Sequence, residues 1–424
     1  MTQDATSSGP TGIEPSRTGP LAHLRVLDLT QFLSGPYATQ IFGDLGADVI
    51  KIEAPEGDIT RDLPPHFVGG QSAYYLSINR NKKSLAIDLK RPEGRRLVRA
   101  LALSCDIVVE NYRPGVLARL GLAYDDLAAE KPAIIWCSIS GFGQDGPYRD
   151  RQAYDMIAQA MSGGMSLTGE PDGPPVRSGI PLGDIAAGLY GVIGILAAHA
   201  EAVRTGRGKC VDVAMLDCQI AMLSYQAAYY LVSGTVPGRQ GRGHDSIPTY
   251  RAFLCGDGLE VAITANTERM WRNLCRVLDL PGLADDPRFA VNARRQENRE
   301  ALWAILEEAF RQRPAAAWVA DLLDAHIPAA VINTLDRSLS DPQVLHRGMV
   351  LALAGPAGEA LRVAGNPIKF VGESEAPHRY PPALAADDES VLADLLKLPA
   401  EEIAALARSG VIGARRRVPG EGAG

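Results

Sequence analysis

The sequence predicts an α/β fold, with a large domain on a mostly parallel sheet and a smaller α/β domain. Two observations predict it. Short apolar β-type runs alternate with helical segments along the first half of the chain, and a Gly/Pro-rich stretch near residue 240 precedes a second, shorter alternation. In order, residues 24–29 read as a strand, 36–45 as a helix with Pro36 suited to its first turn, and 49–53 as the next strand. Residues 84–89, a helix over 92–103, and strands at 107–110 and 133–138 continue the pattern. Strand–helix–strand order implies right-handed crossovers and a sheet covered on both faces. Ligands then gather at the carboxyl ends of the strands, which directs attention to 30–36, 111–115 and 140–147. Strands at 250–255 and 259–265 and helices at 270–278 and 297–311 make up the smaller domain.

Length and composition set bounds. A chain of 424 residues allows two or three domains, and 46% apolar with 22% charged residues is a globular balance. The expected division is an N-terminal tail over 1–20, the large domain over 21–232, a linker and small domain over 233–332, a return to the large domain over 333–412, and a loose tail over 413–424. A net charge of −7 argues against general affinity for nucleic acid or anionic membrane. The opening stretch has no apolar core and does not read as a signal peptide. The longest apolar run, 185–200, carries three glycines and reads as a buried helix, shorter than the ~20 residues of a membrane span. Six scattered cysteines without a C-x-x-C pair argue against a zinc site or disulfide framework, so a cytoplasmic, metal-free protein is expected.

Asp184 stands out. It follows a glycine and precedes the long apolar helix, a position suited to an N-cap. Capping alone would explain it. A helix start would also hold the carboxylate ionised, keeping it available as a nucleophile at neutral pH. The small residues Ala186, Ala187 and Gly188 would let a bulky ligand approach.

A series of blocks in order resembles the class III CoA-transferase family, from about residue 24 to 370. They include L-R-V-L-D-L-T-Q-F-L-S-G-P, G-A-D-V-I-K-I-E, N-R-N-K-K-S-L-A-I-D-L-K, V-V-E-N-Y-R-P-G, G-F-G-Q-D-G-P, L-G-D-I-A-A-G and T-G-R-G-K-C-V-D-V-A-M-L-D. The resemblance implies a Rossmann-like large domain assembled from both chain ends and an interlocked homodimer. It also implies transfer of CoA from an acyl-CoA donor to a carboxylic acid, with no permanently bound cofactor, through an aspartyl anhydride and an aspartyl-CoA thioester. Asp184 falls on the family's catalytic aspartate. CoA contacts fall on Leu33, Ser34, Ile87, Lys90, Asn111, Tyr112, Arg113 and Arg119. The chemistry of these residues agrees, since lysine and arginine suit phosphates and Tyr112 offers a flat face. The basic cluster Arg80, Lys82 and Lys83 has no assigned role. Gly238–Gly243 matches either a mobile glycine loop over the intermediates or an ordinary linker.

The sequence departs from formyl-CoA transferase at Leu33, where that enzyme has glutamine, and at Ala54, where it has arginine. Within the family, racemases carry a histidine where this chain has Tyr154. A tyrosine, with pKa ~10, is poorly matched to acid/base work near neutrality, so Tyr154 fits the transferases, where a hydroxyl near the aspartate bonds the acyl group. A racemase drawing on His244 and a CoA-binding protein without turnover stay open as alternatives. An oxidoreductase is disfavoured, because the first strand leads into F-L-S-G-P and not G-x-G-x-x-G.

Overall fold

The computed structural model describes residues 18–374 and 376–415. The tails expected at 1–20 and 413–424 lie outside them, apart from 18–20 and 413–415. Six strands form the main sheet: β1 (Arg25–Leu29), β2 (Asp48–Glu53), β3 (Lys82–Ala86), β4 (Ile107–Glu110), β5 (Ile135–Ser140) and β6 (Cys210–Ala214). Their order is β3-β2-β1-β4-β5-β6, with every neighbouring pair parallel. The order reverses direction between β1 and β4, the position at which doubly wound sheets bind their ligands. The sequence reading misses β6. It is an edge strand with Asp212 at its centre and its first three residues partly or fully in water, so it lacks the continuous apolar run of the buried strands.

Two cores cover the sheet. On one face, Val26, Val49, Val109 and Ile139 pack with α1 (Ser34–Asp44) and with Ala186, Ala187, Val192 and Ile195 of a 24-residue helix defined below. On the other, Leu27, Leu29, Ile50 and Val108 pack with α2 (Pro92–Ser104) and with residues near the carboxyl end of the chain. The 24-residue helix is α3 (Leu182–Thr205), longer than the run read from sequence. It is long and apolar enough to cross a membrane by length and composition. Its small-residue stripe is nonetheless buried against the sheet and α1, as in a core helix. Two later helices, α4 (Asp388–Leu396) and α5 (Ala400–Arg408), lie in stretches to which no element was assigned from sequence. They close the exposed edge of β3. Asp387 and Asp388 accept the amides of Ser84 and Ala86, and Ile87 bridges to Ile412.

The chain divides into two compact units. One comprises the chain up to Ala158, Pro181–Met222 and the chain from Val350 on, and it contains the main sheet. The other comprises Gln159–Ile180 and Leu223–Met349, so it starts earlier and ends later than the expected small domain and takes in a segment from before α3. It holds a three-stranded antiparallel sheet of Tyr250–Leu254, Glu260–Thr264 and Ala329–Val331. Its core is built around Trp271, Phe253 and Phe310.

Candidate active site

The site begins with the loop after β1. Phe32 sits at φ 62°, a left-handed conformation that a bulky side chain rarely adopts, so its surroundings must hold it there. Three groups do. The Asn111 side chain, just past β4, accepts from the Gln31 amide at 2.9 Å and donates to the Gln31 carbonyl at 2.7 Å. Buried Lys51 donates to the Thr30 carbonyl at 2.7 Å, and buried Lys82 donates to the Pro36 carbonyl at 3.0 Å. The loop is thus fixed on both sides of the strained residue, and α1 starts at Ser34 with Leu33 in the capping position.

Beneath the loop lies a buried ionic cluster. Asp28 accepts from Thr39 and from Lys82 at 2.6 and 2.9 Å and from the Thr30 amide. Burial alone would raise its pKa, but Lys82, Lys51 and the two threonine hydroxyls outweigh burial and hold it at about 2. Lys51 also pairs with Asp58 at 3.0 Å. Burial opposes its charge, yet the carboxylates around it push it up to about 12. Arg80 and Lys82, left without a role by the sequence, are therefore internal partners: Arg80 pairs with Asp44 and Lys82 with Asp28.

Asp184 is reached from this loop. The helix begins three residues earlier than the sequence suggests, with Pro181 in the capping position, so Asp184 lies in the first turn and is not the cap. Its carboxylate is mostly shielded, and the Ser34 hydroxyl hydrogen-bonds to it. Ser34 is in turn reached by the Asn111 amide at 3.5 Å. The helix start does not by itself set the charge of this carboxylate. Burial, then the nearby Asp155 carboxylate, raise its pKa to about 7, and the Ser34 bond offsets them only in part.

The small residues after Asp184 serve packing and do not open a path for a ligand. Ala186, Ala187 and Gly188 are buried, and a Cβ at Gly188 would stand 2.8 Å from the Ser34 carbonyl oxygen and 3.2 Å from the Tyr37 ring. The missing side chain lets the start of α1 approach α3, and that approach brings Ser34 to Asp184.

Two neighbours escaped the sequence reading. Asp155 is buried and accepts the Gly183 amide at 2.8 Å, anchoring the residue before Asp184. Tyr74 lies within electrostatic reach of Asp184 and Asp155, and burial together with those carboxylates pushes its hydroxyl up to about 12. Asp155 was within sight, as the residue after Tyr154. Tyr74 follows the short hairpin Phe67–Val68 and Gln71–Ser72, and its sequence surroundings carry no signal.

The other expected site residues fall in three places. Tyr154 is 60% exposed, and its ring meets Phe32 edge-on at 5.4 Å. Ile87 is buried in the sheet and its amide is used by the Glu53 carbonyl, so its side chain is core material; Lys90 is exposed two strands from β1. Tyr112 is half-buried against the second core and is not an open stacking platform. Arg113 and Arg119 are exposed beyond β4. Within the second unit, Gln240 and Gly241 bond the carbonyls of Leu167 and Gly169, and His244 stacks between Tyr225 and Tyr250. Among the described residues, no group of three or more His, Cys, Asp or Glu is placed to hold a metal ion.

A doubly wound sheet with a shielded carboxylate near its switch point defines a class, and comparison with known proteins gives that class a family. The profile of CoA-transferase family III matches residues 21–388, so the chain belongs to that family and is a class III CoA-transferase, acting on CoA thioesters. Its relatives are more particular. It is 40% identical to human succinyl-CoA:glutarate CoA-transferase over 394 residues, 93% of this chain and 90% of that protein. It is 41% identical to the succinate–glutarate CoA-transferase of Agrobacterium fabrum over 392 residues, 90% of this chain and 97% of that one. Among solved structures it matches a CAIB/BAIF family protein from Brucella suis with a TM-score of 0.80 and 40% identity, over 89% of this chain and 99% of the other.

Proposed function

We propose that this chain transfers CoA from succinyl-CoA to a dicarboxylic acid of glutarate type through covalent intermediates on Asp184. The observation that carries the reading is the Asp184 carboxylate itself: shielded, bonded to Ser34 and raised to about 7. A carboxylate removed from water is a stronger nucleophile once ionised than one fully hydrated. Its oxygen attacks the thioester carbonyl, the C–S bond breaks, and CoA leaves as thiolate, giving an acyl–aspartyl anhydride. The thiolate then attacks the aspartyl carbonyl and expels the donor acid as carboxylate, leaving CoA as a thioester on Asp184. An acceptor carboxylate attacks that thioester, and the same two steps in reverse deliver its CoA ester and free Asp184. No net charge or proton is created. Tyr154 is placed in this scheme as the hydroxyl that steadies the acyl group. The family's interlocked dimer belongs to the same reading and is testable by sedimentation velocity.

The test is mass spectrometry of the intact protein mixed with succinyl-CoA, with and without glutarate. A CoA adduct that hydroxylamine releases from the Asp184 peptide, that glutarate discharges, and that Asp184→Ala abolishes is the expected result. No adduct with any donor, joined to deuterium uptake at the α-carbon of a 2-methylacyl-CoA, would replace the transfer reading with racemisation.

A further inference from the structure

Asp184 and Asp155 sit together without a cation. The influences on Asp184 are burial, the Asp155 carboxylate and the Ser34 hydroxyl, and no lysine or arginine is among them. Tyr74, which feels both acids, keeps its proton, its hydroxyl being pushed up to about 12. When Asp184 gives up its proton to act as a nucleophile, two carboxylates therefore face each other in a shielded site, where repulsion is stronger than in water. Hydrogen-bond donors are the remaining means of holding that charge.

One such donor stands idle beside them. Gln219 lies in the helix Met215–Met222, which packs on α3. It is 5% exposed, and its Nε2 has no hydrogen-bond partner among the described residues. A Cβ on Gly183 would stand 3.2 Å from this nitrogen and 3.2 Å from Oδ1 of Asp155, the oxygen that accepts the Gly183 amide. Glycine at 183 thus leaves the amide and the carboxylate facing one gap, over the residue before Asp184. Buried Ala158 closes the gap, with its Cβ 3.4 Å from the same point. On the Gln219 helix, Cys218 is a buried thiol pushed up to about 11 by burial and then by Asp217, which is exposed. A buried donor without an acceptor forfeits its hydration and gains nothing in return, so packing alone does not account for a glutamine here. The last torsion of a glutamine is broad, and its amide turns at little cost.

Resting on the reading of transfer through Asp184, we propose that Gln219 is a positioning residue for that reaction. When Asp184 ionises to attack the thioester, the Gln219 amide turns onto the Asp155 carboxylate and holds it, and with it the Gly183 backbone, against the repulsion between the two acids. In the covalent intermediates Asp184 carries no charge and the donor is idle again. Gln219 therefore serves the chemical step and not the binding of CoA thioesters.

The rate and pH dependence of adduct formation with succinyl-CoA, measured on the full chain, test this. Gln219→Met keeps the length of the side chain and removes the donor. The maximal rate should fall about tenfold, as loss of a charge-assisted hydrogen bond implies, with half-saturation by succinyl-CoA unchanged. The rising limb should move to higher pH by about one unit, because the doubly ionised state loses a donor. The same variant should unfold no more easily than the wild type, since it no longer buries an idle donor. Exchanging the two groups, Asp155→Asn with Gln219→Glu, restores a donor and a carboxylate across the gap and should recover part of the rate lost in Gln219→Met. A Gln219→Met protein that keeps both rate and limb, or a folded exchanged pair that recovers nothing, overturns the role of Gln219 and leaves transfer on Asp184 intact. A wild type that forms no adduct sinks the transfer reading itself, and the role of Gln219 falls with it.

Discussion

Asp28 and Asp184 are both withdrawn from water, yet they end on opposite sides of the ordinary aspartate value. Burial raises both. At Asp28 it is overcome by two buried lysines and two threonine hydroxyls, which leave the carboxylate ionised at about 2. At Asp184 a single serine hydroxyl faces a second carboxylate, Asp155, and the group rises to about 7. The first arrangement is a strut, and the second is the one we propose as the reagent. Partners, not depth, decide which a buried carboxylate becomes. The two are linked, because Lys82 holds Asp28 with one proton and the first turn of α1, which carries Ser34, with another.

The comparison breaks most severely at Lys82. Lys82→Met leaves Asp28 buried without one of its cations and should cost about 3–5 kcal/mol, read as a lower denaturant midpoint at neutral pH. An unchanged midpoint would mean that Lys51 and the hydroxyls suffice. Gly188→Ala comes next. Its methyl must displace the Ser34 carbonyl, so we expect a loss of about 1–3 kcal/mol. The adduct on Asp184 should also form at least tenfold more slowly as Ser34 moves away. Loss of stability without loss of adduct rate would separate the packing of α1 from the positioning of Ser34.

The smallest effects sharpen the comparison at Asp184 itself. Because its folded pKa lies above the unfolded value of 3.8, this group's stability is fully present below that value and is lost as pH rises to about 7. Activity runs the other way, since the nucleophile is the ionised form: the rate of adduct formation should climb through pH 7. Asp155→Asn keeps an acceptor for the Gly183 amide while removing the repelling charge, so the rising limb should move to lower pH by about half to one unit. Ser34→Ala removes the bond that favours the ionised form, and its limb should move to higher pH. A limb unmoved by both changes would leave burial as the sole cause.

Much of this was legible in the chain. The runs at 24–29, 49–53 and 107–110 appear as β1, β2 and β4 within a residue of their expected ends, because fully buried parallel strands must be continuously apolar. Asp184 was legible as a position and not as an environment. Its cap assignment failed because Leu182 and Gly183 already turn as helix, and its surroundings were hidden because burial and Asp155, 29 places earlier in the sequence, act only in the folded chain. Ile87 was drawn into the site by its motif, while in the structure it is bridged by Ile412, 325 places further along the chain. The helices α4 and α5 went unread because each buries only one or two residues, too few to impress a clear period.

The sequence by itself determined the alternation of strands and helices, the parallel sheet and the place of Asp184 at the start of the long helix. Periodicity and local motif are properties of neighbours along the chain, so they survive without coordinates. The tertiary structure alone decided which lysines are struts, why Gly188 is glycine, and that Asp184 sits near neutrality. Those follow from charges and backbone atoms brought together from distant segments, where Coulombic and desolvation energies depend on separation in space and not on separation in sequence.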